Sequence, residues 1–222
     1  MLIKTQGKKM KITFIYDNET NRDDLVADWG FSCLIEEEKT PTILFDTGTN
    51  GSILLSNMEK LNIDPSVIDE VFISHGHFDH IGGLADFLMV NSNVKVYLPA
   101  SVTGVRGARE VISVNEPMRI HENVFSTGEL DNIEQSMAVK TNKGIALIVG
   151  CSHPRMKHIL DAGSGFGTLY AIIGGLHGFN EFALFKDLKL ICPAHCTQHK
   201  SEIRALYPDK YTDGGVGKII YI

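Results

Sequence analysis

The sequence predicts an α/β fold in which strands and helices are stacked in layers. One observation is the element order, because strand-like runs come first and alternating strands and helices follow, twice along the chain. Another is that a histidine follows each of several predicted strands, at His75 and His77, His153, His177 and His195. Strand ends meet at one edge of the sheet in layered α/β folds, and sites are assembled there.

The length and net charge of the chain limit its domain number and the classes of partner it can bind. A chain of 222 residues is expected to form one domain with a sizeable core, with or without internal duplication. The net charge of −6, with no block of Lys and Arg, argues against nonspecific binding to nucleic acid. A small-molecule substrate is therefore expected, and a local basic pocket for a phosphate remains compatible with this charge.

The N-terminus carries several lysines but no apolar segment, so no secretory leader is expected. No run approaches the roughly 18 apolar residues that span a bilayer. Because Met10 opens the first strand of a domain at 10–222, residues 1–9 are predicted to be either a dispensable extension or the result of an alternative start. Four cysteines do not suggest a disulfide framework, which favours a cytoplasmic location. The oligomeric state is not determined by the sequence, and a homodimer is one possibility.

In the first half, alternating apolar residues predict a strand at 10–16, and the polar run 17–24 predicts a loop that does not pack. Strands at 31–36 and 42–45 are predicted to form a hairpin around a charged turn at 36–39. The next predicted elements are a helix at 50–61 capped by Asn50 or Ser52, a short helix at 64–68, a strand at 71–74, a helix from about 79 to 90 and a strand at 94–98.

In the second half, residues 101–120 are ambiguous, and a short helix plus a strand within 100–114 stays open. Strands at 135–140 and 144–149 are predicted to form a hairpin turning at Asn142-Lys143-Gly144. The remaining predicted elements are a strand at 124–126, a helix at 155–161, a strand at 169–173, a helix at 182–188, a strand at 189–192, a helix from about 198 to 206 and a strand at 217–222.

The densest chemistry lies in the segment His75-Gly76-His77-Phe78-Asp79-His80, which has three imidazoles and a carboxylate in six positions. In extended backbone, His75 and His77 project to the same side. Asp79 and His80 follow at the turn into a helix and can face the same space. This donor set suits a divalent cation, and zinc is expected, although manganese and iron(II) accept the same ligands.

The spacing His75-x-His77-x-Asp79-His80, preceded by Asp46 at a strand end, resembles the signature of the metallo-β-lactamase superfamily. It is similar to a branch of stand-alone metal-dependent hydrolases, some of them similar to enzymes named 7,8-dihydropterin-6-methyl-4-(β-D-ribofuranosyl)-aminobenzene-5′-phosphate synthases. The other segments that carry the resemblance are Gly30-Phe31-Ser32, Leu44 to Gly48, Gly150 to Pro154, Gly174 to His177 and His195-Cys196-Thr197.

This resemblance implies a four-layer αββα sandwich with two metal ions along one edge. The implied ligands are His75, His77 and a third histidine, best matched by His153, for the first metal, and Asp79, His80 and His195 for the second. Superfamily members have a bridging aspartate where Cys151 stands and a histidine before the hairpin where Glu129 lies. Cys151 or Glu129 is therefore expected as a bridge or third ligand.

Two further residues have expected roles outside the metal ligands. Asp46 is expected to orient a ligand histidine by hydrogen bonding rather than to touch metal. For His177, packing at a strand end and a role in substrate binding or around the ligands both stay open.

The function implied is hydrolysis of an ester, lactone, amide or phosphoester by metal-activated water, with Asp79 orienting the water or accepting its proton. A second hypothesis is the synthase-type transfer named above, in which Arg106, Arg109 or Arg155 would contact a phosphate.

Two hypotheses without hydrolysis remain. One is a non-haem di-iron redox protein, which His77 disfavours because such proteins usually have a glutamate there. The other is a non-catalytic sensor that uses Cys192 and Cys196.

Overall fold

The computed structural model describes residues 10–37 and 40–222. One sheet consists of β1 (Lys11–Tyr16), β2 (Ser32–Glu36), β3 (Ile43–Phe45), β4 (Glu70–Phe72), β5 (Lys95–Pro99), β6 (Glu110–Val114) and the last strand, β13 (Ile219–Tyr221). The other consists of β7 (Met118–Arg119), β8 (Val124–Ser126), β9 (Met137–Thr141), β10 (Gly144–Val149), β11 (Leu169–Gly175) and β12 (Leu190–Ala194).

Five α-helices connect these strands in the described ranges, together with two short 3₁₀ helices. The α-helices are α1 (Gly51–Lys60), α2 (Phe78–Ile81), α3 (Leu84–Val90), α4 (Met156–Ser164) and α5 (Lys200–Leu206). The 3₁₀ helices are Pro65–Val67 and Phe182–Phe185. Asn50 caps α1 as predicted, because its Oδ1 accepts the backbone N–H of Ser52 at 2.9 Å.

Both sheets are mixed. The first has the order β13-β1-β2-β3-β4-β5-β6, antiparallel up to β3 and parallel from β3 to β6. The second has the order β12-β11-β10-β9-β8-β7, with β12, β11 and β10 parallel. Parallel neighbours end at the same edge, so the segments after β4, β10, β11 and β12 are held where ligands can be assembled.

The elements pack as four layers. Apolar residues of both sheets, such as Phe45 and Phe72 from the first and Val139 and Ile148 from the second, share one core between the sheets. The outer face of the first sheet packs against α1 and α3, and that of the second against α4, α5 and the 3₁₀ helix Phe182–Phe185. Burial of these apolar surfaces is the main favourable contribution to folding. The predicted αββα sandwich is confirmed.

Several predicted elements differ from the structure. The helix predicted from about 79 to 90 is two helices, α2 and α3. At the break, a Cβ on Gly82 would lie 2.3 Å from the Thr49 carbonyl oxygen, and one on Gly83 would lie 2.3 Å from that of Thr47. The loop after β3 therefore occupies the space that side chains would need.

Other differences concern short segments. The helix predicted at 182–188 is only a 3₁₀ helix, and the segment 100–114, where a helix plus a strand stayed open, contains β6 and no helix. The hairpin β2–β3 is present, but residues 38 and 39 of its turn lie outside the described residues, as does the predicted extension at 1–9.

Candidate metal centre

Two groups of potential metal ligands meet at the strand ends. One atom from each of His75, His77 and His153 lies within 4.8 Å of the others, and the same holds for Asp79, His80, Cys151 and His195. We call these the first and second ligand groups. They adjoin each other, since the His75 and His80 rings are 4.1 Å apart between centroids. The structure thus brings together all six predicted histidine and aspartate ligands.

The first ligand group has unpaired nitrogens that suit a cation. The Nε2 atoms of His75 and His153 are buried and have no hydrogen-bond partner among the described residues. Burial and the neighbouring imidazoles lower the pKa of His75 and bring that of His153 to about 4, so both rings are neutral at pH 7. A neutral imidazole with a buried, unpaired nitrogen is costly alone and becomes satisfied when it binds a metal.

Asp46 and Ser74 orient the rings of two histidines. His75 Nδ1 lies 2.9 Å from Ser74 Oγ, which donates to Asp46 Oδ2 at 2.7 Å. His80 Nδ1 lies 2.7 Å from the same carboxylate oxygen. With Nδ1 engaged in this way, each Nε2 faces its ligand group, as is common around metal-binding histidines. Burial raises the pKa of Asp46, and the Ser74 donors partly oppose that shift.

His195 is held by residues that sequence reasoning missed. Its Nδ1 lies 2.9 Å from Asn18 Oδ1, and its backbone N–H donates to the buried carboxylate of Asp17 at 3.2 Å. The prediction that residues 17–24 do not pack is wrong for Asp17, because this carboxylate also accepts the Gly215 N–H and closes the loop onto β12. The position of Asp17 directly after β1 was the only available signal.

Asp79 lies between two histidines of the second ligand group. Its Oδ2 is 3.1 Å from His195 Nε2 and 3.7 Å from His80 Nε2. Burial alone would raise the pKa of Asp79, but the His195 hydrogen bond and the electrostatic effect of the neighbouring His80 and His195 rings outweigh burial and lower it. The carboxylate is therefore ionised at neutral pH.

Glu134 is another residue of the site that the sequence did not indicate, because it lies in an irregular loop. Its Oε1 accepts the backbone N–H groups of Gly150, Cys151 and Ser152 at 3.0–3.1 Å, and its Oε2 accepts that of His153 at 2.9 Å. Burial raises its pKa from 4.5 to about 6 despite these donors. One carboxylate thus shapes the loop that carries both Cys151 and His153.

The two proposed bridging residues differ in position. Cys151 Sγ lies 3.2 Å from His80 Nε2, inside the second ligand group. Glu129 belongs to neither group, and its carboxylate accepts the Ser101 N–H at 3.1 Å. Cys192, the other half of the sensor hypothesis, is buried in the core between the sheets.

His177 lies beside the first ligand group but outside it. Its ring centroid is 5.2 Å from that of His153, and its side chain is exposed. It lines a cavity of about 310 Å³ together with His153, Phe179 and Asn180. This position keeps a role in substrate binding open.

Comparison with known proteins agrees with this geometry. The sequence profile of the metallo-β-lactamase superfamily matches residues 30–119. A Methanocaldococcus jannaschii protein named 7,8-dihydropterin-6-methyl-4-(β-D-ribofuranosyl)-aminobenzene-5′-phosphate synthase is 31% identical, over 78% of this chain and 82% of that protein. The chain belongs to the metallo-β-lactamase superfamily.

Other members of the superfamily match at different levels. Ribonuclease Z of Nanoarchaeum equitans is 36% identical over 89 residues, which are 36% of this chain and 27% of that enzyme. The crystal structure of a metal-dependent hydrolase of the superfamily superposes with a TM-score of 0.76 and 22% identity, covering 96% of this chain and 99% of that one. Within the described residues, no helix is long and apolar enough to cross a membrane.

Proposed function

We propose that this superfamily member is a metal-dependent hydrolase that cleaves an ester, lactone, amide or phosphoester bond of a small-molecule substrate. The observation that supports this most is the pair of adjoining ligand groups, in which the buried Nε2 atoms of His75 and His153 have no hydrogen-bond partner in the part of the chain that the structure describes. Relatives with hydrolase names, such as ribonuclease Z, point the same way.

The ligands we propose are His75, His77 and His153 for one cation and Asp79, His80, Cys151 and His195 for a second. Zinc is the cation that we expect, because a thiolate among imidazoles and a carboxylate favours zinc over manganese. Bound there, a divalent cation supplies Lewis acidity and lowers the pKa of water to about 7.

The chain's own residues orient the reactants. Asp79 is ionised and partly exposed, so its free lone pairs can accept a hydrogen bond from the attacking water and fix its direction. Asp46, Ser74 and Asn18 keep the imidazole rings from turning. His177 beside the cavity is placed to contact the substrate.

The test combines metal analysis with a panel of phosphodiester, lactone and thioester substrates. We expect about two zinc ions per chain and activity on at least one class. Asp79→Asn should lower turnover by roughly 10²-fold or more while the first ligand group keeps its zinc. Asp161→Asn, at an exposed aspartate of α4 paired with Lys157, is the matched control and should behave like wild type. Failure to bind any supplied divalent metal would refute the proposal.

A second candidate is transfer of the type carried out by the synthase relative, since that protein is similar over most of its length. Of the three candidate arginines, Arg155 follows His153 by two residues, whereas Arg109 precedes β6 and so lies at the opposite edge of the sheet. If a phosphorylated reactant binds, Arg155→Gln should raise its KM and leave zinc content unchanged. Arg109→Gln should change neither the KM nor the zinc content.

A further inference from the structure

Two cysteine sulfurs are in contact next to the second ligand group. Cys196 Sγ lies 3.1 Å from Cys151 Sγ, and Cys151 Sγ lies 3.2 Å from His80 Nε2. Cys196 itself is not part of either ligand group. Cys151 therefore has two partners on different sides, a metal-ligand imidazole and a second thiol.

The surrounding backbone makes room for this contact. Cys151 follows β10 and Cys196 follows β12, and the strand between them, β11, ends at Gly175. A Cβ on Gly175 would lie 2.8 Å from Cys196 Sγ and 3.2 Å from Cys151 Cα. Only a residue without a side chain leaves the two sulfurs free to meet across β11.

We propose that Cys151 and Cys196 form an oxidative modification site, in which a peroxide joins them in a disulfide when no cation holds Cys151. With hydrogen peroxide, two S–H bonds and the O–O bond break, while one S–S bond and two O–H bonds form. The two sulfurs are oxidised, the two peroxide oxygens are reduced, and the two thiol protons leave in the two water molecules produced. The sulfurs need to approach by only about 1 Å, to the disulfide length of about 2.05 Å. The oxidant is small, and Cys196 is the more exposed partner at 8%.

The disulfide competes with metal binding, a consequence that rests on the proposed function. Cys151 Sγ in a disulfide is neither a thiolate nor free to move toward His80, so the second ligand group loses its sulfur donor. The first ligand group contains no cysteine and is unaffected. Oxidation of the zinc-free protein should thus prevent the second zinc from binding and leave binding of the first unchanged.

The experiment treats zinc-stripped protein with hydrogen peroxide and counts thiols after denaturation. All four cysteines are free, so we expect the count to fall from four to two and to return with dithiothreitol. Trypsin releases Cys151 in peptide 144–155, whereas Cys192 and Cys196 share peptide 190–200. Cys192→Ser is therefore the matched variant, since its linked peptides can contain only the Cys151–Cys196 bond.

The outcomes of this experiment test the disulfide and its competition with zinc binding separately. Cys196→Ser should keep its three thiols after peroxide treatment. If that variant does not fold, peptide mapping of the wild-type protein still identifies which cysteines are bonded. Three outcomes would refute the proposed disulfide: an unchanged thiol count, conversion of a cysteine to sulfinic acid, or a bond to Cys33. Equal oxidation of zinc-loaded protein would overturn the competition with metal, and with it Cys151 as a ligand, while the peptide map still stands.

Discussion

At the scale of single residues, the Glu134 carboxylate determines the conformation of the loop that carries Cys151 and His153. Glu134→Gln replaces one acceptor oxygen by an NH₂ group, which would face a backbone N–H. Hydrogen bonds to a charged group contribute roughly 1.5–3 kcal/mol, so we expect unfolding free energy to fall by about 2 kcal/mol. Denaturant unfolding measures this loss, and metal analysis should detect weaker zinc binding.

The control for that variant is Glu129→Gln. Glu129 accepts the N–H of a single exposed residue, Ser101, and should lose little stability and no zinc. Equal effects of the two substitutions would mean that the four bonds to residues 150–153 do not govern the loop.

A second residue-scale prediction uses Trp29, the one tryptophan of the chain. Its ring centroid lies 5.0 Å from that of His195, and the next N–H, from Gly30, donates to the same Asn18 oxygen that His195 Nδ1 contacts. Paramagnetic Co²⁺ in the second ligand group should quench Trp29 fluorescence, while Zn²⁺ should not. Quenching that persists at the same Co²⁺ concentration in His195→Ala would place the cation elsewhere.

At the scale of elements, the approach of the loop before β2 to helix α2 positions Asp79. Gly30 has φ of +148°, and a Cβ there would lie 2.7 Å from the Asp79 carbonyl oxygen. Gly30→Ala should cost roughly 1–3 kcal/mol of stability by overpacking, in addition to backbone strain, and should displace Asp79. Thermal unfolding and zinc content measure the two effects.

Gly104→Ala is the matched control for Gly30→Ala. Gly104 also has a positive φ, +86°, but apart from its two chain neighbours no atom of the described residues lies within 4 Å of a Cβ built there. It should suffer the strain of the left-handed region without the displacement of Asp79. Similar zinc loss in both variants would show that strain alone, rather than the contact with α2, disturbs the site.

A comparison of predicted and observed elements shows which features of the fold the sequence could predict. Periodicity and capping predicted α1 and the hairpin β9–β10 because those signals are local, and the dense histidine spacing predicted the ligands of α2. The break between α2 and α3 depends on carbonyl groups of Thr47 and Thr49, which are distant in sequence. Glu134 and Asn18 were missed for the same reason, since Gly150 lies 16 residues from Glu134 and His195 lies 177 residues from Asn18.

At the scale of the whole molecule, the candidate centre joins the two sheets. His75, His77, Asp79 and His80 follow β4 of the first sheet, whereas Cys151, His153 and His195 follow strands of the second. A cation bound by ligands from both halves adds a link that the unfolded chain cannot make. Metal binding should therefore raise the stability of the whole sandwich rather than of one loop.

We expect zinc to raise Tm at pH 7, because a ligand at 100 times its Kd stabilises the folded state by about 2.7 kcal/mol. His153→Gln should shrink this rise, whereas His158→Gln, at a partly exposed histidine paired with Asp131, should keep it. Calorimetry with zinc and with a chelator measures both. An equal rise in His153→Gln would exclude His153 as a ligand.

Acid should weaken the contribution of the buried imidazoles to the stability of the zinc-free protein. The pKa values of His75, His80 and His153 are lowered in the fold, so the unfolded chain binds more protons once the pH falls below the unfolded value of 6.5. For His153 this loss runs from pH 6.5 to about 4. Glu134, Asp46 and Asp17, whose pKa values burial raises, act in the opposite direction, Glu134 between 4.5 and about 6. The imidazole contribution therefore shows as a difference between variants. From pH 7 to pH 5, the Tm of the zinc-free wild type should change less favourably than that of His153→Gln, because only wild type loses the contribution of His153. Parallel profiles of the two proteins would contradict a neutral, buried His153.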